Sequence, residues 1–472
     1  MKSKSVKKNN LTVAFPINYL KQINGKKIVR PQNTNTTWEY YLLENLCATL
    51  VKDSITSNSG FDGVLAKNWN QINSKTWKFY LKDQLKWSNG TDLTGQQIKS
   101  SFESLKIKGS RHSVYFKKIN KINYNKLEHS LSFEFREKIN FNFLHELSLA
   151  DSSIVSRQNL KGDWSVTSGP FFLIEKDKQV ILSKNKNFEN IFESKNRYAD
   201  EVFLIDYFED AEISRLLKKN ENFIFPVQSF SLRQQFLEYK KLSKQVYCGE
   251  KNVIYFFEFL KLNSISKSIN LRNEIRQILQ DSFQKALMNN DEINYFEQLI
   301  PKGFKGHIDS YKYKKIKNKA KIKRTIQIEM PTLMRGIPDL EKHISEHSKM
   351  SNLNVKIKYQ DAYPEFDKKS LMRINMFKGN QSDQLASWNF LFSKNIGPLH
   401  LFADKVSGLF KKITNSRDKN KVLLRLHKQV LNNVMSVPVF IEANCIYSGS
   451  ELDFHKINPF DMRLRFYDVQ FK

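Results

Sequence analysis

Apolar and polar residues follow two periods along this chain, and each period predicts its own kind of element. Alternation with a period of two, or a short unbroken apolar run, is typical of strands. These patterns predict strands over residues 11–15, 76–81, 131–135, 171–174, 180–185, 201–208, 253–260, 325–330, 354–360 and 437–443. The helical period predicts helices over residues 38–51, 95–105, 210–219, 270–288, 337–350 and 421–434.

Three of these helices begin with capping signals. Thr94 and Gln97 form the Thr-x-x-Gln version of a capping box, so a helix should begin at about Gly95. Asp210 and Asn270 are placed to cap the helices that follow them. The acids near residue 210 therefore need no catalytic explanation, because a helix N-terminus already stabilises negative charge.

Element order and chain length predict an α/β protein with more than one lobe. The strand, helix and strand over 325–360 form a β-α-β unit, which favours a layered α/β lobe. At 472 residues the chain exceeds what one hydrophobic core usually supports. Its apolar fraction of 40%, with 36 Phe and 18 Tyr, is typical of a chain that folds throughout.

The formal net charge of +29 raises the question of a polyanionic partner. Lysine is abundant along the whole chain, and only the stretch 312–324 concentrates it, with eight basic residues and no acid. A run of this kind is usually a solvated loop or an exposed strand edge. We therefore expect no nucleic-acid partner.

Cysteine content and hydropathy bear on the compartment. Cys47, Cys248 and Cys445 are too few and too widely spaced for a disulfide framework or a zinc ribbon, which still leaves room for one bridge. No segment reaches the ~18 to 20 consecutive apolar residues of a membrane-spanning helix. The basic N-terminus is followed by an apolar stretch, 11–17, that is shorter than the core of a signal peptide, so no export signal is legible.

One motif points toward enzyme chemistry. His343, Glu346 and His347 match the His-x-x-Glu-His pattern, in which two histidines one helical turn apart bind zinc. No third ligand is identifiable, and both histidines flank the apolar face made by Leu340 and Ile344. A zinc peptidase is therefore a remote alternative, and the signatures of other catalytic classes are absent from the sequence. We expect no enzymatic activity, no cofactor and no metal site.

Several blocks of the sequence resemble one protein family. The segment 65–105 contains Trp-Lys-Phe-Tyr-Leu and then Trp-Ser-Asn-Gly-Thr-Asp-Leu-Thr-Gly, and it is similar to the hallmark segment of the family 5 extracellular solute-binding proteins. These proteins are the peptide- and nickel-binding subunits of ABC importers. Further blocks follow in the family's order at 167–188, 199–221, 269–288, 299–307 and 437–443.

The resemblance implies an α/β protein with the type II periplasmic-binding-protein fold. Such a protein has two lobes, and the first is discontinuous and carries an inserted subdomain. On this chain, lobe 1 would comprise 11–230, with the subdomain at about 52–165, lobe 2 would comprise 251–432, and 438–472 would return to lobe 1.

The resemblance also implies capture of a ligand without covalent chemistry. We expect the substrate-binding component of an ABC importer, which holds a peptide or similar small solute between two lobes and delivers it to a membrane permease driven by ATPase subunits. The protein should be a monomer in the periplasm or at the cell surface. Because no export signal is visible, a cytoplasmic ligand-binding or sensor protein of the same fold is the alternative.

Ligand contacts are expected from one stretch in each lobe. In lobe 1, the turn with Ser168, Gly169 and Phe171 should contribute, because glycine lets backbone approach closely. In lobe 2, the family's ligand stretch corresponds to 376–392. Its candidates are Asn380 as a polar contact, Asp383 as the partner of a peptide's amino terminus, and Trp388 as an apolar wall. A surface acid and a core aromatic are the ordinary alternatives for the last two.

Overall fold

The computed structural model describes residues 9–472 with the following gaps: 17–28, 32–33, 35–36, 55–56, 58, 107–115, 140–141, 177–178, 192–197, 220–221, 228–233, 291–292, 312, 314–323, 352, 361–368, 379–387, 389–390, 393–396, 416–417 and 460–461. Most of the basic run at 312–324 therefore lies outside the described residues. In the described part of the chain, no helix is both long and apolar enough to cross a membrane.

The strands are β1 Asn10–Phe15, β2 Val51–Asp53, β3 Phe61–Gly63, β4 Ala66–Asn73, β5 Thr76–Leu81, β6 Ile119–Asn125, β7 Ser130–Phe135, β8 Phe171–Lys176, β9 Gln179–Lys184, β10 Glu201–Asp206, β11 Phe223–Val227, β12 Gln245–Cys248, β13 Val253–Phe259, β14 Asn294–Tyr295, β15 Arg324–Pro331, β16 Leu353–Gln360, β17 Met372–Lys378, β18 Ser436–Glu442, β19 Cys445–Ser448, β20 Leu452–Asp453 and β21 Gln470–Phe471. The α-helices are α1 Thr37–Leu46, α2 Gly95–Ser104, α3 Phe143–Ser148, α4 Lys186–Ile191, α5 Asp210–Lys219, α6 Gln234–Leu242, α7 Ser264–Lys267, α8 Ile269–Ala286, α9 Leu340–Lys349, α10 Ala403–Asn415 and α11 Lys419–Asn432.

The first sheet has the strand order β12-β19-β11-β1-β10-β9-β8. Its centre is parallel, because β1 pairs with β10 along its whole length and with β11 on its other side. β10 then pairs antiparallel with β9, which forms a hairpin with β8. The apolar residues of β1 are buried on both faces of the strand, as expected for a central parallel strand.

The inserted segment forms a sheet of its own, with the antiparallel order β4-β5-β7-β6. Phe79 and Phe102 both make edge-to-face contacts with Phe133, at centroid distances of 5.6 and 5.1 Å. These rings belong to a core that is distinct from the core around β1. Helix α2 covers this core, and the predicted capping box of Thr94 and Gln97 is confirmed at its start.

The second large sheet has the order β14-β18-β13-β17-β15-β16. β15 and β16 are parallel, which confirms the predicted β-α-β unit, with α9 between them in sequence. Every residue of the central strand β13 is buried. Helix α8 packs against this sheet through Phe283, whose ring lies 6.0 Å from that of Phe257 and 5.8 Å from that of Phe440.

The chain divides into two compact units. Unit 1 comprises Met1–Pro226, Tyr239–Tyr247 and Cys445–Lys472, and unit 2 comprises Val227–Glu238 and Cys248–Asn444. The predicted return to the first lobe at 438 is therefore wrong. β18 pairs antiparallel with β13, so residues up to Asn444 remain in unit 2 and unit 1 resumes at Cys445.

Two local predictions also need correction. The first helix ends at Leu46, short of residue 51. Helix α8 begins at Ile269, and its N-cap is Ser268, whose hydroxyl accepts a hydrogen bond from Leu271 N, so Asn270 is not the cap. The first error is of five residues and the second of two, and they leave the order of elements unchanged.

Candidate functional site

The carboxyl edge of the first sheet is the part of unit 1 where its topology favours a ligand. The chain passes from β1 to β10 on one side, and from β10 through α5 to β11 on the other side of β1. Connections that leave neighbouring parallel strands in opposite directions open a crevice beyond their carboxyl ends, which is where open α/β sheets bind ligands. Here those ends are Phe15, Asp206 and Val227.

Aromatic side chains gather at this edge. Trp38, in the first turn of α1, lies 5.2 Å from the ring of Phe15 and 5.0 Å from that of Tyr207, both in edge-to-face geometry. Tyr207 in turn stacks on Phe225 at 4.8 Å and contacts Phe208 at 5.6 Å. We call Phe15, Trp38, Tyr207, Phe208 and Phe225 the aromatic cluster. Phe15 and Phe225 are buried, so the open part of the cluster comprises Trp38, Tyr207 and Phe208, which these contacts hold in place.

Within the aromatic cluster, Tyr207 is held by hydrogen bonds and Phe208 is exposed to solvent. The Tyr207 hydroxyl donates to the Pro226 carbonyl at 3.2 Å, and the Tyr207 amide donates to the Phe15 carbonyl at 3.1 Å. Phe208, by contrast, is 60% exposed, although it is a large apolar side chain. Such a surface can hold an apolar or flat ligand group and supplies no nucleophile for covalent chemistry. This cluster was not predicted from the sequence, although aromatic residues at the ends of two predicted strands, 11–15 and 201–208, were a signal for it.

Ser168 and Gly169 lie in the core of unit 1. The Ser168 hydroxyl donates to the Ile154 carbonyl at 2.6 Å and accepts from Ala48 N at 3.0 Å. Gly169 is pressed against the end of α1, since a Cβ there would lie 2.5 Å from Cys47 N. The close backbone approach that glycine permits at 169 is therefore an approach to α1. The direct ligand contacts predicted for both residues stay predictions, and the structure gives them a scaffold role.

Phe171 and Trp388 are also completely buried. Phe171 packs against Tyr198 at 5.6 Å in unit 1. Trp388 packs in unit 2 against Phe392 at 6.1 Å and His427 at 5.7 Å. Trp388 is therefore a core aromatic, the ordinary alternative given above, and its role as a ligand wall stays a prediction.

Asn380 and Asp383 lie outside the described residues. The chain reaches them directly from β17, which ends at Lys378 and runs parallel to β15. Lys378 therefore lies at the carboxyl end of a strand parallel to β15, the end favoured for ligands in α/β sheets.

A buried ion pair crosses the second sheet nearer the other end of β17. The Arg373 guanidinium donates to Glu258 Oε1 at 2.6 Å, and the Asn375 amide donates to the same oxygen at 3.0 Å. Burial raises the pKa of Glu258, while Arg373 opposes that shift. Because Arg373 opposes Glu258 in the strand register, we assign the pair to the sheet itself.

In the structure, the two histidines of the zinc pattern contact other side chains. His343 Nδ1 lies 3.4 Å from Glu346 Oε2, and His347 Nδ1 lies 2.8 Å from the Ser282 hydroxyl. Within the described ranges, no group of three or more His, Cys, Asp or Glu side chains is placed to hold a metal ion.

Cys248 and Cys445 form a disulfide, whereas Cys47 is a free, buried thiol. The two bonded cysteines lie on adjacent strands of the first sheet, at the end of β12 and the start of β19. Hydrogen bonds flank them on either side, from Lys244 N to Ser448 O at 3.1 Å and from Gly249 N to Asn444 O at 3.0 Å. One bridge, which the sequence left open, is thus present.

Comparison with known proteins gives a family match. The sequence model described as "Bacterial extracellular solute-binding proteins, family 5 Middle" matches residues 61–326. Among characterised sequences, a probable D,D-dipeptide-binding periplasmic protein, DdpA of Escherichia coli K12, is 29% identical over 150 residues. That stretch covers 29% of this chain and 29% of DdpA.

Solved structures match over nearly the full length. OppA of Haemophilus influenzae, in complex with the peptide RPPGFSPFR, has a TM-score of 0.75 at 13% identity, covering 99% of each chain. NikA of Staphylococcus aureus, in complex with Ni(L-His)2, has a TM-score of 0.74 at 15% identity, covering 98% of this chain and all of NikA. These matches confirm the predicted α/β, type II periplasmic-binding-protein fold.

Proposed function

This chain belongs to family 5 of the bacterial extracellular solute-binding proteins, and from that premise we propose that it is the substrate-binding component of an ABC importer. Its ligand is a peptide or a similar small solute. Members of the family and their structural relatives are binding proteins, not enzymes, so the chain captures its ligand without covalent change. Family membership thus removes the zinc peptidase alternative.

The aromatic cluster is the observation that carries the proposal. It lies where the topology of the first sheet favours a ligand, and it leaves a large apolar ring exposed at Phe208. An isolated exposed apolar residue is ordinary, but Phe208 packs on Tyr207, which is itself held by Trp38 and Phe225, and this offers a preformed surface. We place the unit 1 part of the ligand site on this cluster.

A peptide is the ligand class that we favour. DdpA is described as binding a dipeptide and the H. influenzae OppA structure is a peptide complex, whereas the NikA structure is a nickel complex. An extended peptide needs backbone partners and a counter-charge for its amino terminus. We propose Asp383 for that charge and Asn380 as a neighbouring polar contact, in the stretch that follows β17.

The partners follow from the same proposal. A binding component of this class delivers its ligand to a membrane permease whose ATPase subunits supply the energy, and it works as a monomer. The family's members are periplasmic or extracellular, and we propose the same location here. The Cys248–Cys445 disulfide supports export over the cytoplasmic alternative, because disulfides persist in oxidising compartments.

Calorimetric titration of the purified protein with short peptides tests the function. For a peptide that binds to the wild type, Phe208→Ala should weaken binding by about 10-fold, because it removes an exposed ring from the contact surface. Leu127→Ala is the matched control, since Leu127 is 98% exposed at the turn between β6 and β7, which belong to a different sheet. Equal affinity of Phe208→Ala and wild type would remove the aromatic cluster from the site, and no heat with any peptide would remove the peptide class.

A second variant tests the proposed counter-charge. Asp383→Asn should weaken binding of peptides with a free amino terminus by about 1.5 to 3 kcal/mol, the cost of losing a charge-assisted hydrogen bond. N-acetylated peptides lack that charge and should bind both proteins alike. If the variant binds both peptide forms as the wild type does, Asp383 is a surface acid.

A further inference from the structure

Helices α10 and α11 expose several cations. Lys405 and Lys412 on α10, and Lys421, Arg425 and Lys428 on α11, are all exposed. In the part of the chain that the structure describes, none of the five forms an ion pair. We call these five residues the basic face.

The spacing of the basic face places its members in rows. Positions 421, 425 and 428 are separated by four and three residues, so they share one side of α11. The opposite side of α11 is buried, through Val422 and Leu426 among others. On α10, residues 405 and 412 are two helical turns apart and also share a side. Gln429 joins the two helices by donating to the Lys405 carbonyl at 2.8 Å.

Among the described residues, no acid of these two helices forms an ion pair with the basic face. The exposed acids described in these two helices stand at helix starts, Asp404 in the first turn of α10 and Asp418 as the N-cap of α11. Other helices pair their surface cations within reach, as Arg215 does with Glu212 and Lys99 does with Glu103. The basic face thus differs from the surfaces of α2 and α5, where a cation is paired with an acid.

We propose that the basic face docks the protein on an anionic lipid bilayer. A bilayer surface attracts rows of cations without requiring a shaped pocket, whereas a protein interface usually needs aromatic or other anchors at its centre. The described residues of α10 and α11 include no exposed large apolar side chain that could serve as such an anchor. The net charge of +29 adds long-range attraction to the same surface. Docking would keep the protein close to the membrane independently of the solute it carries.

Vesicle sedimentation with the whole chain tests the proposal. Wild type should sediment with phosphatidylcholine vesicles that contain phosphatidylglycerol at 50 mM salt, and should not sediment with pure phosphatidylcholine. Each cation near an anionic bilayer raises the binding constant by a factor of about 5. The triple variant Lys421→Gln, Arg425→Gln, Lys428→Gln should therefore bind at least about 30-fold more weakly, with an unchanged melting temperature.

A second triple variant removes the same charge elsewhere. Lys117→Gln, Lys126→Gln, Lys161→Gln neutralises three exposed lysines of unit 1 and should change vesicle binding by less than about 3-fold. Equal losses in the two triple variants would overturn the proposal in favour of net charge alone, and absence of wild-type binding to the anionic vesicles would also overturn it. Solute binding should be the same in all three proteins, so this test is separate from that of the proposed function.

Discussion

His427 is completely buried in unit 2, and backbone groups hold both of its ring nitrogens. Nδ1 lies 2.8 Å from the Gly306 carbonyl and therefore donates to it, while Nε2 accepts from Leu299 N at 3.1 Å. This arrangement requires the neutral ring, because a protonated Nε2 would face the Leu299 N–H. Burial accordingly lowers the pKa of His427 from 6.5 to about 4. His427 therefore links the segment 299–306 to α11 through two hydrogen bonds of its neutral ring.

A pH dependence of stability follows from this shift. Between pH 6.5 and about 4 the unfolded chain binds a proton at His427 that the folded chain does not bind, so stability falls as the pH falls through this window. From pH 7 to 5, this residue should cost about 2 kcal/mol of unfolding free energy, at about 1.4 kcal/mol per pKa unit. Urea titrations at both pH values measure it.

The variant His427→Gln provides the comparison, because glutamine keeps a donor and an acceptor but does not titrate. Its loss of stability between pH 7 and 5 should be smaller than that of the wild type by about the same 2 kcal/mol. Parallel pH profiles for the two proteins would contradict a buried neutral histidine.

At the scale of elements, glycines in two helices have opposite surroundings. Gly95 opens α2, and a Cβ there would overlap the ring of Tyr124 on β6. Gly408 lies within α10, and a Cβ there would meet nothing within 4 Å. Helix propensity favours alanine over glycine at both positions, but only the second has room for it.

Two alanine substitutions should therefore act in opposite directions. Gly408→Ala should stabilise the protein by about 0.5 to 1 kcal/mol, the usual gain of alanine over glycine within a helix. Gly95→Ala should destabilise it by about 1 to 3 kcal/mol, because Tyr124 must move out of a packed contact. Chemical denaturation of both variants measures the pair, and a gain in stability for Gly95→Ala would show that α2 and β6 pack less closely than the structure indicates.

At the scale of the whole molecule, the Cys248–Cys445 disulfide closes a loop that contains nearly all of unit 2. Unfolded protein should therefore present one thiol per chain, from Cys47, before reduction and three after reduction. Reduction should lower the unfolding free energy by about 2 to 5 kcal/mol, since it frees a long loop in the unfolded state. Thiol titration in denaturant and melting curves with and without dithiothreitol measure both effects.

The double variant Cys248→Ser, Cys445→Ser is the control, because its melting temperature should not respond to dithiothreitol. Three thiols in protein isolated from its native compartment would contradict the disulfide and would restore the cytoplasmic alternative.

The sequence patterns predicted ten strands and six helices in the order in which the structure has them, but missed others such as β11, β17 and α10. The strand at 76–81 and the helix at 210–219 have the predicted bounds, and the capping box at 94–97 is present. Periodicity and capping depend on residues within one or two turns of each other, so their signals can be read along the chain. The resemblance to family 5 added the fold, because its blocks keep a fixed order along the chain.

The packing of the whole chain determines which distant residues meet. It joined Cys248 to Cys445, kept β18 in the second sheet, and brought Phe15, Trp38, Tyr207 and Phe225 into one cluster. It also turned Gly169 toward α1, and it placed Arg463 Nη1 3.0 Å from Asp53 Oδ1 across more than 400 residues of sequence. Local patterns carry no information about such pairs, because the path of the whole chain sets the distance between residues far apart in sequence, and that path is fixed by the packing of all the elements together.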